Sequence, residues 1–564
     1  MNHSNRFYLG PPGTGKTYRC IRVAGWFIGR CHVKPIDIAY LSFTKIAASE
    51  AYKRINKKFN DIYDETQFAN FRTLHSMCLR NVPEITNIMG KSDYVDFGEN
   101  VPINFDTKLS WEAEEDDRGV LKVDNPYLRL IQLANNRLTT LEEQYILLKT
   151  KEKDDIDFTK LIELNEHYKK YKQDKDLYDF DDMLLYFSKL PDNLIPHFPL
   201  FIIDEAQDCS KLQWLCINKL IARADRTIIA GDDDQAIYVW SGADVTSFRA
   251  IEHRPSFKTK ILKNSRRVPK LQHALAQKII QRDTQRIKKE YFPTKEEGTV
   301  SCVQSDSMLI DWIQQAYEKE LEILILCTYN KPLRRIGKLL QHYNLKYTYK
   351  KEGTGTAIVQ AIKDWKALHE GKTISGKRVK KVYAQLETDV SVARGYKSGK
   401  KAPDDLEQYS LQDLIDKYGL LSPCPLWQEE FSKMSMTDKM HYTDLEERGK
   451  DLETRPQIKL STINSIKGSE REVVFLLDDL SGNEQTEEEI NELHRKMYVG
   501  VTRSSQHLII VEARYTWSRD FYYGLWHTWK EVEYEQRQKE ISLRQSSRRK
   551  SLSEIQDTAS RIHQ

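Results

Sequence analysis

No run of about eighteen apolar residues occurs in the sequence, so no segment reads as a membrane-spanning helix. An excess of charge of one sign is also missing. Lys and Arg number 87 against 83 Asp and Glu, a net of +4, which singles out no class of partner and leaves any basic surface to a local patch. Cysteine is sparse: Cys20, Cys31, Cys78, Cys209, Cys216, Cys302, Cys327 and Cys424 contain no C-x-x-C pair. That spacing argues against a zinc module or a disulfide scaffold and suits a reducing cytosol. Met1 to Gly10 fall short of the apolar stretch a secretory leader needs, so none is expected. No repeat of fixed period is found. What is present is globular material, 40% hydrophobic and 30% charged over 564 residues. At about 150 residues per domain this length corresponds to roughly three to four domains.

Short apolar runs end abruptly in glycine or acid. Phe7–Leu9 precedes Gly10, Ile38–Leu41 precedes a helix expected over 45–59, Leu200–Ile203 precedes two acids, and Thr227–Ala230 precedes Gly231 and three aspartates. Strands alternating with helices indicate an α/β fold with a doubly wound parallel sheet and ligands at the strands' carboxyl ends. A second strand set begins near 298, with Gly298–Val303, Ile323–Cys327, Ile458–Thr462, Val473–Leu477 and Leu508–Val511. The expected organisation is a first core over 1–84 and 176–262, and a second over 263–351 and 457–515. A helical accessory insert, with helices over 138–154 and 158–171, fills 85–175. A Lys/Gly-rich insert fills 352–456, and 516–564 form a charged tail that starts as a helix.

Gly10-Pro11-Pro12-Gly13-Thr14-Gly15-Lys16-Thr17 fits G-x-x-x-x-G-K-[ST] between a strand and a helix. Such a loop wraps backbone N–H groups around phosphate oxygens, brings a lysine to the outer phosphates and a hydroxyl to Mg²⁺. Phe201-Ile202-Ile203-Asp204-Glu205 is an apolar strand ending in two acids, the first suited to Mg²⁺ and the second to positioning an attacking water. Together these specify a P-loop NTPase with ATP and Mg²⁺ as its ligands. They do not say what the hydrolysis drives.

Further segments carry a resemblance. Asp204-Glu205-Ala206-Gln207-Asp208 and Gly231-Asp232-Asp233-Asp234-Gln235-Ala236-Ile237-Tyr238-Val239-Trp240-Ser241-Gly242-Ala243 resemble the Walker B and third motifs of the UvrD/Rep-type DNA helicases, superfamily 1A. In order along the chain, Leu41–Ala48 is similar to motif Ia, Thr73–Cys78 to motif Ib, Asn264-Ser265-Arg266-Arg267 to motif IV, Ser461–Glu470 to motif V and Tyr498–Arg503 to motif VI. Asp179–Leu185 is similar to the segment before Walker B. The compact layout resembles a phage or mobile-element member.

The resemblance implies two RecA-like P-loop NTPase cores, each with an inserted accessory subdomain, and ATP in the cleft between them. It makes Lys16, Thr17, Asp204, Glu205, Gln235, Arg266 and Arg503 the catalytic set. Gln235 would sense the γ-phosphate, and Arg266 and Arg503 would arrive from the second core as arginine fingers. Thr17 and Asp204 would hold Mg²⁺, and Glu470 would meet the nucleotide. Phe43, Tyr238 and Trp240 match stacking or strand-contacting positions, Thr44 and His75 phosphate-contacting ones, and Asn464 a strand contact in motif V. Stacking and charge hold single strands without sequence preference. Tyr238 and Trp240 also alternate as strand residues do, which core packing would explain equally.

Several positions depart from the family pattern. No Gln precedes Gly10, so the adenine-reading residue is missing from the sequence or base selection is relaxed. Ser265 stands where a stacking Tyr is usual, and Tyr18 where Arg is usual, which suggests that Tyr18 supplies the aromatic face for adenine. Asn464 replaces a His and Ser241 an Arg, weakening the transfer of strand contacts there. In the second insert Lys372, Lys377, Arg378, Lys380, Lys381, Lys397, Lys400 and Lys401 form either a duplex contact or a solvated surface. The tail cluster Arg548-Arg549-Lys550 reads as a tether or an arm for replication or repair proteins. The expected activity is an ATP-dependent DNA helicase moving 3′→5′ on single-stranded DNA and acting at single-strand/duplex junctions, without a membrane, in the cytoplasm of a bacterial or phage-infected cell. A translocase that strips proteins from DNA, and a nucleotide-gated recruitment protein, are the alternatives.

Overall fold

Six of the first unit's strands build one sheet. β1 (Asn5–Leu9), β2 (Ile38–Leu41), β3 (Phe71–Arg72), β6 (Leu200–Ile203), β7 (Thr227–Gly231) and β8 (Phe257–Ile261) are ordered β3-β2-β6-β7-β1-β8. All neighbouring pairs are parallel. A short antiparallel pair, β4 (Ala113–Glu115) and β5 (Leu121–Val123), lies in the first insert. This computed structural model describes residues 5–105, 109–111, 113–115, 121–148, 156–349, 355–399, 401–454, 456–466, 469–479, 486–513, 524–539 and 541–542. Lys400, Gly468 and the Arg548-Arg549-Lys550 cluster lie outside them.

The central strands β2, β6 and β7 and the end of β1 are buried throughout because both faces of the sheet are covered there. With a side-chain period of two, Phe7, Leu9, Ala39, Leu41, Phe201, Ile203 and Ile229 enter one buried cluster. Their neighbours Tyr8, Ile38, Tyr40, Leu200, Ile202, Ile228 and Ala230 enter the other. The register pairs Leu9 with Gly231, Leu41 with Ile203, and Ile203 with Ile229. The strands therefore stop at a common edge, where Ser42, Asp204, Asp232 and Gly10 follow one another in space. Helix α1 (Lys16–Cys31) buries Cys20, Ile21, Ala24, Phe27 and Ile28, one helical stripe, on the sheet. α2 (Lys45–Lys57) and α3 (Leu74–Arg80) leave the same edge after β2 and β3. In the first insert α4 (Lys91–Asn100), α5 (Pro126–Arg137) and the helix Phe158–Asp174 close around Tyr94, Phe97, Leu128, Ile131, Leu161 and Leu164. The helix expected over 138–154 is limited among the described residues to Leu141–Ile146, and 149–155 lie outside them.

The second unit has a sheet of the same kind. β9 (Thr299–Val303), β10 (Ile323–Cys327), β11 (Tyr347–Tyr349), β14 (Ile458–Thr462), β15 (Arg471–Leu477) and β16 (Ser504–Val511) run β11-β14-β10-β15-β16-β9, again all parallel. Its insert pairs β12 (Ile374–Ser375) with β13 (Gln408–Tyr409) and packs helices around Trp365, Tyr383, Trp427 and Phe431. The basic residues of that insert are in part answered locally. Arg378 pairs with Asp364, Lys380 with Asp405 and Lys372 with Glu370, and Lys397 donates to the Leu386 carbonyl.

The unit boundaries differ from the sequence expectation. One unit comprises Met1–Gly298, Asn483–Thr502 and Thr528–Gln564, the other Thr299–Gly482 and Arg503–His527. Residues 263–298 thus belong with the first sheet, as does the helix Glu487–Val501. Buried charge is the reason. Asp232, Asp233 and Asp234, at the end of β7, are all fully buried, and Lys289 Nζ meets all three. Arg286 pairs with Asp234, Arg249 with Asp233, and the Ile287 N–H donates to Asp233 at 2.7 Å. Burial alone would push the Lys289 ammonium down, but the aspartates hold it well above its ordinary value. The helix Glu487–Val501 is tied by Arg495, whose Nε donates to the Ala236 carbonyl at 2.8 Å and whose Nη1 pairs with Asp283 at 2.8 Å.

Removing one partner of a buried ion cluster leaves charge with nothing to answer it. Lys289→Met should destabilise the first unit by about 3–5 kcal/mol, whereas Lys380→Met, on a surface pair, should lose about 1 kcal/mol or less. Denaturant unfolding of the two variants tests the difference.

Candidate active site

The phosphate loop is held in shape before any ligand arrives. Gly13 and Gly15 have φ of 74° and 84°, left-handed values that side chains with a Cβ rarely adopt. Gly15 is also the N-cap of α1, so the loop delivers the helix's first amides to one point. Lys16 Nζ donates to the Gly10 carbonyl at 2.8 Å and lies 3.8 Å from Glu205. Thr17 Oγ1 donates to Asp204 Oδ2 at 2.6 Å, and the Tyr40 hydroxyl donates to the same oxygen at 3.2 Å. Burial, with Glu205 beside it, pushes the Asp204 carboxyl up to about 6. A hydroxyl, a carboxylate and a lysine converging on the loop are the donor set a magnesium–triphosphate needs, so the residues fit that group.

Glu205 sits at φ 57°, a left-handed conformation uncommon for a non-glycine residue. From it runs a line of buried hydrogen bonds. The Gln207 carboxamide donates to Glu205 Oε2 at 2.6 Å and accepts from the Asp232 N–H at 3.1 Å. The Gln235 carboxamide in turn donates to Asp232 Oδ2 at 2.7 Å. Gln207 and Asp232 are fully buried. The sequence reading passed over both, although an amide between two acids in Asp204–Asp208 was the available signal.

The aromatic residues proposed for strand contact come together. The rings of Phe43 and Tyr238 are 5.0 Å apart and those of Tyr238 and Trp240 6.5 Å, a continuous series of tilted rings. A cavity of about 30 Å³, the size of one water, has Asp204, Glu205, Phe43, Thr73 and His75 among its lining residues. The Thr44 hydroxyl caps α2, accepting from the Ala47 N–H at 3.1 Å, so its residue stands at a helix N-terminus. The His75 ring lies edge-on to Phe180 at 5.9 Å. Ser241, where an Arg was expected, turns its hydroxyl back to the Tyr238 carbonyl at 2.9 Å.

One expectation is revised. Arg266 is a residue of the first unit, not of the second core. Its N–H donates to the Gly13 carbonyl at 2.9 Å, because β8 pairs with β1 and carries the following loop to the phosphate loop. Ser265 is buried there, donating to the Pro12 carbonyl at 3.0 Å and accepting from the Val268 N–H at 3.0 Å. Position 265 thus clamps the loop instead of presenting a face to a base. Tyr18 is 46% exposed, with Lys58, Arg266 and Arg22 at 5.5, 5.7 and 5.9 Å from its ring centre. Arg503, Glu470 and Asn464 belong to the second unit. Arg503 opens onto β16 and donates to the Ser469 carbonyl at 3.2 Å, next to Glu470, while Asn464 begins a short turn of 3₁₀ helix after β14.

Comparison with known proteins follows the same division. Residues 2–256 match the UvrD/REP helicase N-terminal domain, and residues 458–511 the UvrD-like helicase C-terminal domain. The chain is 27% identical to the ATP-dependent DNA helicase Rep of Buchnera aphidicola subsp. Baizongia pistaciae over 47% of its own length and 40% of that protein's. It is 22% identical to the ATP-dependent DNA helicase PcrA of Bacillus subtilis (strain 168) over 89% of its length and 80% of that protein's. With the PcrA of Staphylococcus epidermidis the match takes in 49% of this chain and 37% of that protein, at 25% identity. Two family models at the positions of the two parallel sheets, with the phosphate loop, the paired acids and the third motif in their expected places, make this chain a member of the UvrD/Rep helicase family.

Proposed function

We propose that the protein is an ATP-dependent DNA helicase that moves 3′→5′ on single-stranded DNA and separates duplexes at junctions during replication, recombination or repair. The observation that supports this most is the buried line Glu205–Gln207–Asp232–Gln235, which starts beside Lys16 and ends on the segment bearing Tyr238 and Trp240. An ATPase serving only as a timer has no need of such a connection.

ATP is the substrate, seated on the amides of Gly13 to Thr17 with Lys16 at its outer phosphates. Thr17 and Asp204 would hold Mg²⁺, which when bound screens the phosphate charge and polarises the oxygens. Glu205 accepts the proton of the attacking water, and Gln207 fixes its carboxylate in the required direction. Gln235 answers the presence of the γ-phosphate by exchanging its bond to Asp232, and the residues after it shift with that exchange. Arg266 supplies positive charge to the phosphates; Arg503 and Glu470 are assigned as further nucleotide contacts. The base stacks on Tyr18, whose ring is half-exposed and surrounded by cations. Phe43, Tyr238 and Trp240 stack bases of the strand, and Thr44, His75 and Asn464 contact its backbone. Among the described residues no helix is long and apolar enough to cross a membrane, and all eight cysteines are free; we assign the protein to the cytoplasm. The Arg548-Arg549-Lys550 cluster assigned to partner proteins lies outside the described residues.

Strand displacement on duplexes with a 3′ or a 5′ single-stranded tail tests the proposal. Unwinding should require the 3′ tail, and Glu205→Gln should lose about 10²–10⁴-fold in turnover while still binding ATP. DNA-stimulated hydrolysis with no displacement on either substrate would instead favour the protein-stripping translocase. For the base, Tyr18→Ala should raise the KM for ATP about tenfold, the equivalent of one lost stacking contact; an unchanged KM would remove Tyr18 from the site.

A further inference from the structure

We infer that Arg129, on the first accessory insert, is a contact for single-stranded DNA: its guanidinium meets the backbone phosphate of the nucleotide stacked on Trp240. The inference rests on the stacking role proposed for Trp240. No motif named above includes this residue.

The placement of Arg129 follows from the way α5 is fixed. Asn125 caps the helix, accepting from the Tyr127 and Leu128 N–H groups at 3.0 and 3.1 Å, and Pro126 sets its first turn. Asn135 and Asn136 donate to the buried Asp181 at 3.1 and 3.0 Å, tying the helix to its neighbour Phe180–Lys189. Leu133, Asn136 and Arg137 form the stripe that meets the turn after Trp240. Arg137 Nη2 donates to the Val239 carbonyl at 3.2 Å. A Cβ on Gly242 would stand 3.2 Å from that of Asn136, and Gly242 has φ +97°, so the turn is seated directly on α5. One turn earlier on the same stripe, Arg129 is exposed and places its guanidinium carbon 5.7 Å from the centre of the Trp240 ring. Among the described residues no carboxylate pairs with it.

A cation over the half-buried Trp240 ring is held less tightly than a base stacked on that ring. An incoming base therefore displaces the guanidinium from the indole face. The freed group remains within a side chain's reach of the same nucleotide, and its planar fork suits a phosphate. The insert thereby gives the strand surface a charge that the core motifs do not supply at this position.

Fluorescence anisotropy of a labelled oligo-dT, measured across a salt series, tests this with the full chain. Arg129→Ala should lower the slope of log affinity against log salt by about 0.7, the value for one phosphate contact on a single strand. Affinity should fall by up to roughly fivefold, with an unchanged thermal melt because the side chain is exposed. Arg129→Lys should keep the wild-type slope. A guanidinium that merely shields the indole would leave the slope of Arg129→Ala unchanged, and that result overturns the inference. Trp240→Ala separates the two readings. If it weakens binding while Arg129→Ala keeps the slope, only the Arg129 contact falls; if it does not weaken binding, the stacking role falls and the Arg129 contact with it.

Discussion

One buried carboxamide joins the ends of two strands. Gln207 donates to the acid that follows β6 and accepts from the backbone N–H that follows β7. Glu205 is in a left-handed conformation, and strained residues persist only where their surroundings over-determine them. The Asp232 N–H is buried, and leaving such a donor unpaired costs about 1–3 kcal/mol. The same amide satisfies both demands, so the positions of Glu205 and Asp232 are set together.

Charge balance supports that arrangement from behind. Three consecutive buried aspartates would repel one another and favour protonation. Lys289, Arg286 and Arg249 answer them, and Arg495 fixes the Ala236 carbonyl one residue beyond Gln235. Even so, burial keeps Asp234 up at about 6, a sign of how little solvent reaches this edge. The segment from Asp232 to Ala236 is thus rigid at its base, while the residues that follow, Tyr238 and Trp240, are partly exposed. A stiff base and an open end suit a segment that reports a change at the phosphates to a bound strand.

Much of this was legible in the sequence, for identifiable reasons. The core strands are buried on both faces, so they appear as unbroken apolar runs, and each ends where the chemistry begins. The phosphate loop and the paired acids are contiguous, so local spacing revealed them. β8 was missed because Phe257–Ile261 reads FKTKI, an edge strand with lysines on its open face, and β3 because it is two residues long. The misplacement of 263–298 has one cause: Lys289 and Arg286 look like surface cations until the aspartates they neutralise, more than fifty positions away, are known. Gln207 and Arg129 have the same character. Their partners are set by the register of the sheet and the docking of α5, which spacing along the chain does not encode.

The most direct test is the ATPase rate of wild type and Gln207→Leu, each with and without saturating single-stranded DNA, with ATP and DNA affinities measured in parallel. If the buried amide carries the connection, DNA strongly stimulates the wild type. In the variant the ratio of stimulated to basal rate falls by about tenfold or more, equivalent to about 1.4 kcal/mol of lost coupling, while both affinities are kept. A wild type indifferent to DNA, or a variant stimulated as fully as the wild type, would contradict a link between the catalytic acid and the strand surface through Gln207.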